Sequence, residues 1–332
     1  MFVRLGIDRR PVQGSNFGRR PRSPLTALTG VVALIAILSS ATPAGAWPPA
    51  PNGRLAFDQG EIIVTANPDG SQLRDLTTGG CCATWSPHGD RLAVTDVTAD
   101  GRFTYALIDA DGTNRTSAIG FGVSGLNVGY EAWSPDGEWI AGEVWDDSDA
   151  GRNGIAVHAP GEPETLTTIL ATPGRRNQVG DFSPTGDRLS FVQYAGVDGD
   201  AKRAIFVMES DGSDVQRITP WGMAGCCTAS WSPDGKWIVF DDHGRLFMIH
   251  PDGTELRQIP IHPGGRYFAF EPDWSPDGTR IAFSMYVVRN GQDDIFTVEQ
   301  NGTHLVQVTD TPGHEGQVDW GTASELVAVG RS

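Results

Sequence analysis

The chain has 332 residues, with 25 Lys and Arg against 41 Asp and Glu, and a net charge of −16 at pH 7. So acidic a surface repels nucleic acid and anionic lipid, which excludes both as partners. The length suits two ordinary domains or one large all-β domain, and composition alone does not separate the two.

Residues 1–46 have the organisation of a secretory signal peptide. Six arginines precede an apolar run at residues 25–38, and an Ala-Gly-Ala site ends at Ala46. The run is shorter than the roughly 20 residues that span a membrane, and an uncleaved N-terminal anchor is the alternative. Loss of this segment, with its six arginines and one aspartate, would bring the net charge to −21. We therefore expect cleavage before Trp47, no membrane span afterwards, and a secreted or periplasmic protein of the cell envelope.

Six copies of an aromatic residue followed by a turn sequence recur through residues 47–332. The best-preserved copies read WSPDG and continue into a short apolar strand. The aromatic residues are separated by 48, 49, 49, 43 and 46 positions, and they are Trp85, Trp133, Phe182, Trp231, Trp274 and Trp320. A period in this range is typical of propeller blades or of solenoid units.

Each repeat predicts four β-strands. One strand ends at the aromatic residue, a second follows the Ser-Pro turn, and a third and a fourth flank an Asp-Gly turn. The apolar runs are short and rich in Val, Ile and Phe, and their turn residues accept positive φ, so the pattern favours β-hairpins. Four-stranded units at this period form propeller blades. We therefore predict an all-β fold over residues 47–332, a six-bladed β-propeller of four-stranded antiparallel blades.

Both chain ends carry a strand that fits the position after the Ser-Pro turn, GRLAFD from Gly53 and ELVAV from Glu325. One of the two is surplus to six blades of four strands. We expect one blade to combine strands from both ends, with the segment at Gln317 as its innermost strand, because such pairing removes an open sheet edge.

The paired WSPDG and DADG motifs resemble the WD40-like repeat of TolB and of the propellers of prolyl-oligopeptidase-type proteins. The resemblance covers nearly all of residues 47–332 and implies the propeller fold, although one fold hosts many activities. TolB places an α/β domain before its propeller. The peptidases add a hydrolase domain with a G-x-S-x-G elbow, whereas residues 122–126 of this chain read GVSGL and lack the last glycine. We therefore expect neither the TolB N-terminal domain, nor a role in the Tol–Pal system, nor peptidase activity.

The two faces of the predicted propeller differ. The Ser-Pro and Asp-Gly turns of one face are short and alike, whereas the loops of the other face vary in length and hold arginine and aromatic residues. Because function concentrates on variable loops, we predict a site for a protein or glycan on this loop-rich face. The alternative for each residue is packing at the channel mouth or pairing with a nearby acid. The predicted ligand-binding residues are Tyr130, Glu131, Arg175, Arg176, Trp221, Arg266, Tyr267, Phe268, Glu271 and His314.

The four cysteines form two adjacent pairs at matching places in blades that are three apart, Cys81-Cys82 and Cys226-Cys227. Thiols tend to pair in an oxidising compartment. We expect a disulfide within each pair, with free or metal-binding thiols as the alternative.

Three aspartates, Asp181, Asp273 and Asp319, each precede a blade aromatic. They are weak candidates for Ca²⁺ ligands, and the alternative is an ordinary capping role. We expect no other cofactor.

These features together predict a monomeric extracytoplasmic propeller that binds or scaffolds a protein or small ligand and has no catalytic activity. The alternative is a propeller-type polysaccharide lyase or glycoside hydrolase acting at the channel mouth, which requires an acid/base pair or a metal. The loose candidates for such a pair are Glu131, Glu271, His262 and His314.

Overall fold

The structure is a computed structural model, and it describes residues 50–117, 125–196, 202–225 and 228–324. The predicted signal peptide, Cys226-Cys227 and the ELVAV segment lie outside these residues. Apart from a 3-10 turn at Ala150–Arg152, the regular elements of the described residues are β-strands. No helix in the described ranges is long and apolar enough to cross a membrane.

The strands form six four-stranded antiparallel sheets, which confirms the predicted six-bladed β-propeller. Blade 1 takes β1 (Asn52–Gln59), β2 (Ile62–Ala66) and β3 (Arg74–Thr78) from the N-terminal part of the chain. Blade 2 consists of β4 (Cys81–Trp85), β5 (Arg91–Val97), β6 (Phe103–Asp109) and β7 (Thr116–Ser117). Blade 3 consists of β8 (Asn127–Trp133), β9 (Ile140–Trp145), β10 (Gly154–Ala159) and β11 (Glu162–Ala171).

The remaining blades repeat this order. Blade 4 consists of β12 (Asn177–Phe182), β13 (Arg188–Tyr194), β14 (Arg203–Glu209) and β15 (Gln216–Arg217). Blade 5 consists of β16 (Ser230–Trp231), β17 (Ile238–Asp242), β18 (Arg245–Ile249) and β19 (Arg257–Gln258). Blade 6 consists of β20 (Tyr267–Trp274), β21 (Arg280–Val287), β22 (Gln292–Glu299) and β23 (Val306–Gln307). The last described strand, β24 (Glu315–Thr322), completes blade 1.

The ring closes by antiparallel pairing of β24 with β1, with Leu55 opposite Trp320 and Gln59 opposite Glu315. The segment around Gln317 is thus the innermost strand of a blade whose other three strands come from the N-terminal side. This is the closure that the repeat pattern predicts. It leaves the inner strand of blade 1 paired rather than exposed as an edge.

The WSPDG motif specifies the turn between the first and second strands of a blade. In blade 3 the Ser134 hydroxyl donates to Asp136 at 2.5 Å and accepts the backbone N–H of Trp139 at 2.9 Å. Gly137 closes the turn with φ of +73°, a left-handed conformation that glycine adopts at little cost. The motif therefore encodes a hydrogen-bonded turn, and we call these connections the Ser-Pro turns.

The hydrophobic core consists of six clusters, and each lies between two neighbouring blades. One cluster joins Ile63 of blade 1 to Trp85 and Leu92 of blade 2, and another joins Trp320 of blade 1 to Ile295 of blade 6. Four further clusters join the other neighbouring blades in the same way. The blade aromatics therefore hold the ring together, since each one packs against the sheet of the preceding blade.

Candidate functional site: the central channel

A cavity of about 730 Å³ lies at the centre of the ring and is lined by the innermost strands of all six blades. Its outer rim is formed by the prolines of the Ser-Pro turns, namely Pro87, Pro135, Pro184, Pro233 and Pro276. The cavity therefore opens on the face of the short, uniform turns. This placement differs from the predicted site on the loop-rich face, and of the ten predicted ligand-binding residues only Glu131 lines the cavity.

The walls of the cavity carry the six blade aromatics. Trp85, Trp231, Trp274 and Trp320 are each 5–8% exposed, and Phe182 is 6% exposed. Gly321 stands where other repeats have serine, because a Cβ at this position would lie 2.5 Å from the Trp85 ring. The close approach of blade 1 to blade 2 at the channel thus depends on the missing side chain.

The three candidate metal ligands also line the cavity, and each interacts with the next blade. Asp319 accepts the backbone N–H of Trp85 at 2.8 Å, and Asp273 accepts that of Trp320 at 2.7 Å. Asp181 likewise accepts the backbone N–H of Trp231. Burial raises the pKa of all three carboxyls. These contacts are those of caps that join one blade to the next.

A second set of inter-blade contacts lies deeper along the inner strands, three residues before the blade aromatic. Cys82, Glu271 and Gln317 occupy this position in their blades and have φ of +59°, +54° and +52°. The register shifts there in β4 and in β20, so the strands are bulged. The freed backbone N–H of Cys82 donates to Asp58 at 3.0 Å, and that of Gln317 donates to Glu271 at 2.6 Å. Burial is the main cause that raises the pKa of Asp58, to about 7.

Three predicted ligand-binding residues form charge pairs or hydrogen bonds within the protein. Arg176 donates to both oxygens of the buried Glu143, at 2.7 and 2.9 Å. His314 lies 2.5 Å from Asp293, and Glu271 accepts from Gln317 as described above. These contacts match the alternative interpretation of the sequence, in which charged residues near the channel pair with one another.

The predicted aromatic and arginine residues form stacked pairs on the surface. Arg175 lies over the Trp221 ring at 5.7 Å and donates to Gln193 at 2.6 Å. Arg266 lies over the Phe268 ring at 5.3 Å and is exposed. These pairs remain untested as ligand contacts, and the side chain of Tyr130, a residue of β8, lies outside the described part of the structure.

Tyr267 is a core residue. Its side chain is 7% exposed and belongs to the cluster between blades 5 and 6. The hydroxyl donates to the carbonyl of Ile261 at 3.1 Å, and Arg245 covers the ring at 4.4 Å. Tyr267 therefore has a packing role, which its place in a variable loop sequence does not reveal.

Glu131 is the acid whose environment is most unusual. It is 3% exposed, lines the cavity and accepts the Thr95 hydroxyl at one oxygen, Oε2, at 2.9 Å. Its other oxygen, Oε1, has no hydrogen-bond partner among the described residues. Burial raises the pKa of Glu131 to about 7.

The Sγ atoms of Cys81 and Cys82 lie 2.7 Å apart and are not bonded as a disulfide. Cys82 also lines the cavity. With Asp58 the two thiols form a group of potential metal ligands, the only such group of three or more within the described ranges. The hydrogen bond that the Cys82 thiol donates to Cys81 and burial are the main causes that raise the pKa of Cys82, so the thiolate that a metal requires is disfavoured.

Sequence reasoning missed the Ser-Pro turns as the border of a cavity. The signal that could have found it is the recurrence of proline after the blade aromatic, since five identical prolines in a closed ring must surround one opening.

No family model matches the chain. An uncharacterized Agrobacterium fabrum protein is 27% identical over 60% of this chain and 68% of its own length. A TolB homolog from Chlorobium luteolum is 26% identical over 36% of this chain, which corresponds to 25% of that protein.

A solved structure with a similar fold is TolB from Acinetobacter baumannii. It has a TM-score of 0.63 and 17% identity, with 81% of this chain and 66% of that chain covered. The chain thus spans only part of the length of the TolB proteins that it matches. The six four-stranded blades agree with these similarities. The fold of the chain is that of the TolB-like six-bladed β-propellers.

Proposed function

We propose that this chain is an extracytoplasmic binding protein that holds a protein segment or small ligand of the cell envelope in its central channel, at the end bordered by the Ser-Pro turns. The observation that carries the proposal is the cavity of about 730 Å³ on that face. Ligand pockets typically have volumes of about 300–1,000 Å³ and aromatic walls. The similarity to a TolB homolog supports a propeller that acts by binding.

Binding without catalysis is part of the proposal. Of the four acid/base candidates in the sequence, Glu131 lines the cavity, whereas Glu271, His262 and His314 do not. Glu271 is held by Gln317 and His314 by Asp293. A hydrolase or lyase would need two such groups on either side of one substrate bond.

We propose in addition that a signal peptide at residues 1–46 directs the propeller, residues 47–332, out of the cytoplasm, and that the exported protein is a monomer. N-terminal sequencing of the protein recovered from the envelope or medium should begin at Trp47. A protein that still begins near Met1 would contradict export by cleavage.

The binding site can be tested by obstructing the channel. Ala323 is exposed and lines the cavity, whereas Ala195 is exposed just beyond β13 and does not line it. Ala323→Trp should abolish the binding of a short peptide measured by calorimetry, and Ala195→Trp should leave it unchanged. Equal binding by the two variants would show that the ligand does not enter this cavity.

A further inference from the structure

Carboxyl groups predominate among the ionisable side chains that line the described part of the cavity. Glu131, Asp181, Asp273 and Asp319 lie on its walls, and Asp90 lies near its rim. The described lining contains no lysine and no arginine. His88, at the exposed mouth, is the one lining residue that can carry a positive charge. An anionic ligand entering this space would find no lysine or arginine on the described walls, and each acid that is ionised would repel it.

Glu131 differs from the three aspartates because it is incompletely paired. The aspartates accept backbone N–H groups from the next blade, as described above. Glu131 is only 3% exposed, yet its Oε1 atom has no such donor among the described residues. A buried carboxylate oxygen without a donor costs free energy that an incoming N–H group can recover.

Among the residues that the structure describes, no cation pairs with Glu131. The Thr95 hydroxyl donates to its other oxygen. The Cys82 thiol and the Tyr105 phenol are the other titratable groups that interact with it. All three neighbours are neutral at pH 7 in their ordinary forms, so none of these described groups supplies a counter-ion for an ionised Glu131.

The aromatic walls suit the same kind of ligand. Rings of tryptophan attract cations through their negative faces, most strongly where water is excluded. Five of the six blade aromatics are tryptophans, and all six line the cavity. An ammonium or guanidinium group in the cavity would thus lie among aromatic side chains, with the Glu131 carboxyl as its partner.

We propose that the channel binds an organic cation, an ammonium or guanidinium group, with Glu131 as its counter-ion and the blade aromatics as its walls. This inference rests on the proposed function, because it names the ligand class of the same cavity. An organic cation fits better than Ca²⁺, which takes six to eight oxygen ligands, because Asp181, Asp273 and Asp319 are already engaged by backbone N–H groups.

The test uses capped tripeptides that differ only at the central residue. Calorimetry at pH 8 and low ionic strength would compare acetyl-Gly-Arg-Gly-amide with its Gln and Glu counterparts, and spermidine would represent a free polyamine. We expect the Arg peptide or spermidine to bind at least tenfold more tightly than the Gln peptide, and the Glu peptide not to bind. Tighter binding of the Arg peptide would indicate a ligand that is part of a polypeptide, and tighter binding of spermidine would indicate a free polyamine. Equal or tighter binding of the Gln or Glu peptide would overturn the proposal.

The matched variants are Glu131→Gln and Glu138→Gln, which remove the same charge from the same blade. Glu138 is exposed and lies in the Ser-Pro turn of blade 3, outside the cavity lining. Cation binding should fall at least tenfold in Glu131→Gln and stay unchanged in Glu138→Gln. Equal losses in both would indicate attraction by the acidic surface as a whole and would refute the role of Glu131.

A measurement on the unaltered protein covers the case in which Glu131→Gln does not fold. Titration at pH 7 in two buffers of different ionisation enthalpy reports protons released on binding. A cation that pairs with Glu131 should release protons, whereas binding without proton release would contradict the proposal. The Ala323→Trp variant distinguishes failure of the cation proposal from failure of the channel proposal. If the Glu peptide binds the unaltered protein and this binding is lost in Ala323→Trp, only the cation proposal is refuted. If the Arg peptide binds Ala323→Trp normally, the channel itself is refuted as the site.

Discussion

The carboxylate of Asp319 in blade 1 accepts the backbone N–H of Trp85 in blade 2, although 234 positions separate the two residues. Asp273 of blade 6 holds Trp320 of blade 1 in the same way, and the Ser230 hydroxyl of blade 5 lies 3.4 Å from the backbone nitrogen of Trp274. The residue before a blade aromatic thus caps the strand of the next blade. Two of these contacts join blade 1 to its neighbours, where the ring closes.

Removal of the cap at the ring closure should destabilise the fold. Asp319→Ala leaves the buried N–H of Trp85 without an acceptor, which costs about 1–3 kcal/mol, whereas Asp319→Asn retains a side-chain oxygen and should cost less. Urea unfolding would measure both. Asp75→Ala, at an exposed site in β3, is the control and should stay within about 0.5 kcal/mol of the unaltered protein. Equal stability of Asp319→Ala and this control would contradict the capping role.

Two adjacent residues that the sequence assigned to the same surface should behave differently. Tyr267→Ala removes a ring that is 7% exposed and buried between two blades, and should lower the free energy of unfolding by about 3 kcal/mol or more. Arg266→Ala alters an exposed side chain and should change it by less than about 0.5 kcal/mol. Thermal unfolding of the two variants decides the matter, and similar melting temperatures would show that Tyr267 is not a packing residue.

The repeat encodes most of the fold, because the residues that form it are local. Ser134, Asp136 and Gly137 make one turn from adjacent positions, and the spacing of the aromatics gives the number of blades. The innermost position of the Gln317 strand also follows from the count of strands. Such features depend on contacts within one repeat, so a single sequence displays them.

The site was less predictable because it depends on contacts between repeats. Thr95 reaches Glu131 across 36 positions and Asp58 reaches Cys82 across 24, and no motif announces either pair. The bulge that turns Cys82 to positive φ occurs at a residue other than glycine, so the sequence carries no sign of it.

The adjacent thiols should form a disulfide in the exported protein. The Sγ atoms of Cys81 and Cys82 are 2.7 Å apart, so oxidation needs little movement. Mass spectrometry of a non-reduced digest should find the peptide with Cys81 and Cys82 about two mass units lighter than after reduction. A peptide cross-linked to the Cys226 segment, or free thiols throughout the exported protein, would contradict this pairing.

Several buried carboxyls should make the protein less stable at pH 8 than at pH 5.5. Burial raises the pKa of Glu131 and of Asp58 to about 7 in the folded state, whereas both would titrate near pH 4 in the unfolded chain. The folded state therefore binds more protons between about pH 4 and 7, and its stability falls as pH rises through this window. Asp146, whose side chain is 9% exposed, acts in the opposite direction, because hydrogen bonds from Ser148 lower its pKa to about 2, so its contribution is lost only as the pH falls below about 4.

Melting temperatures measured from pH 4 to 8 at constant ionic strength should thus pass through a maximum near pH 5 and fall toward pH 8. Glu131→Gln should flatten the fall, since a carboxyl whose pKa rises from 4.5 to about 7 accounts for on the order of 3 kcal/mol across the window. Asp75→Asn removes one charge at an exposed site in β3 and should leave the shape of the profile unchanged. Stability that rises steadily to pH 8, or an equally steep fall in Glu131→Gln, would mean that Glu131 is ionised at neutral pH and already has a counter-ion in the folded protein.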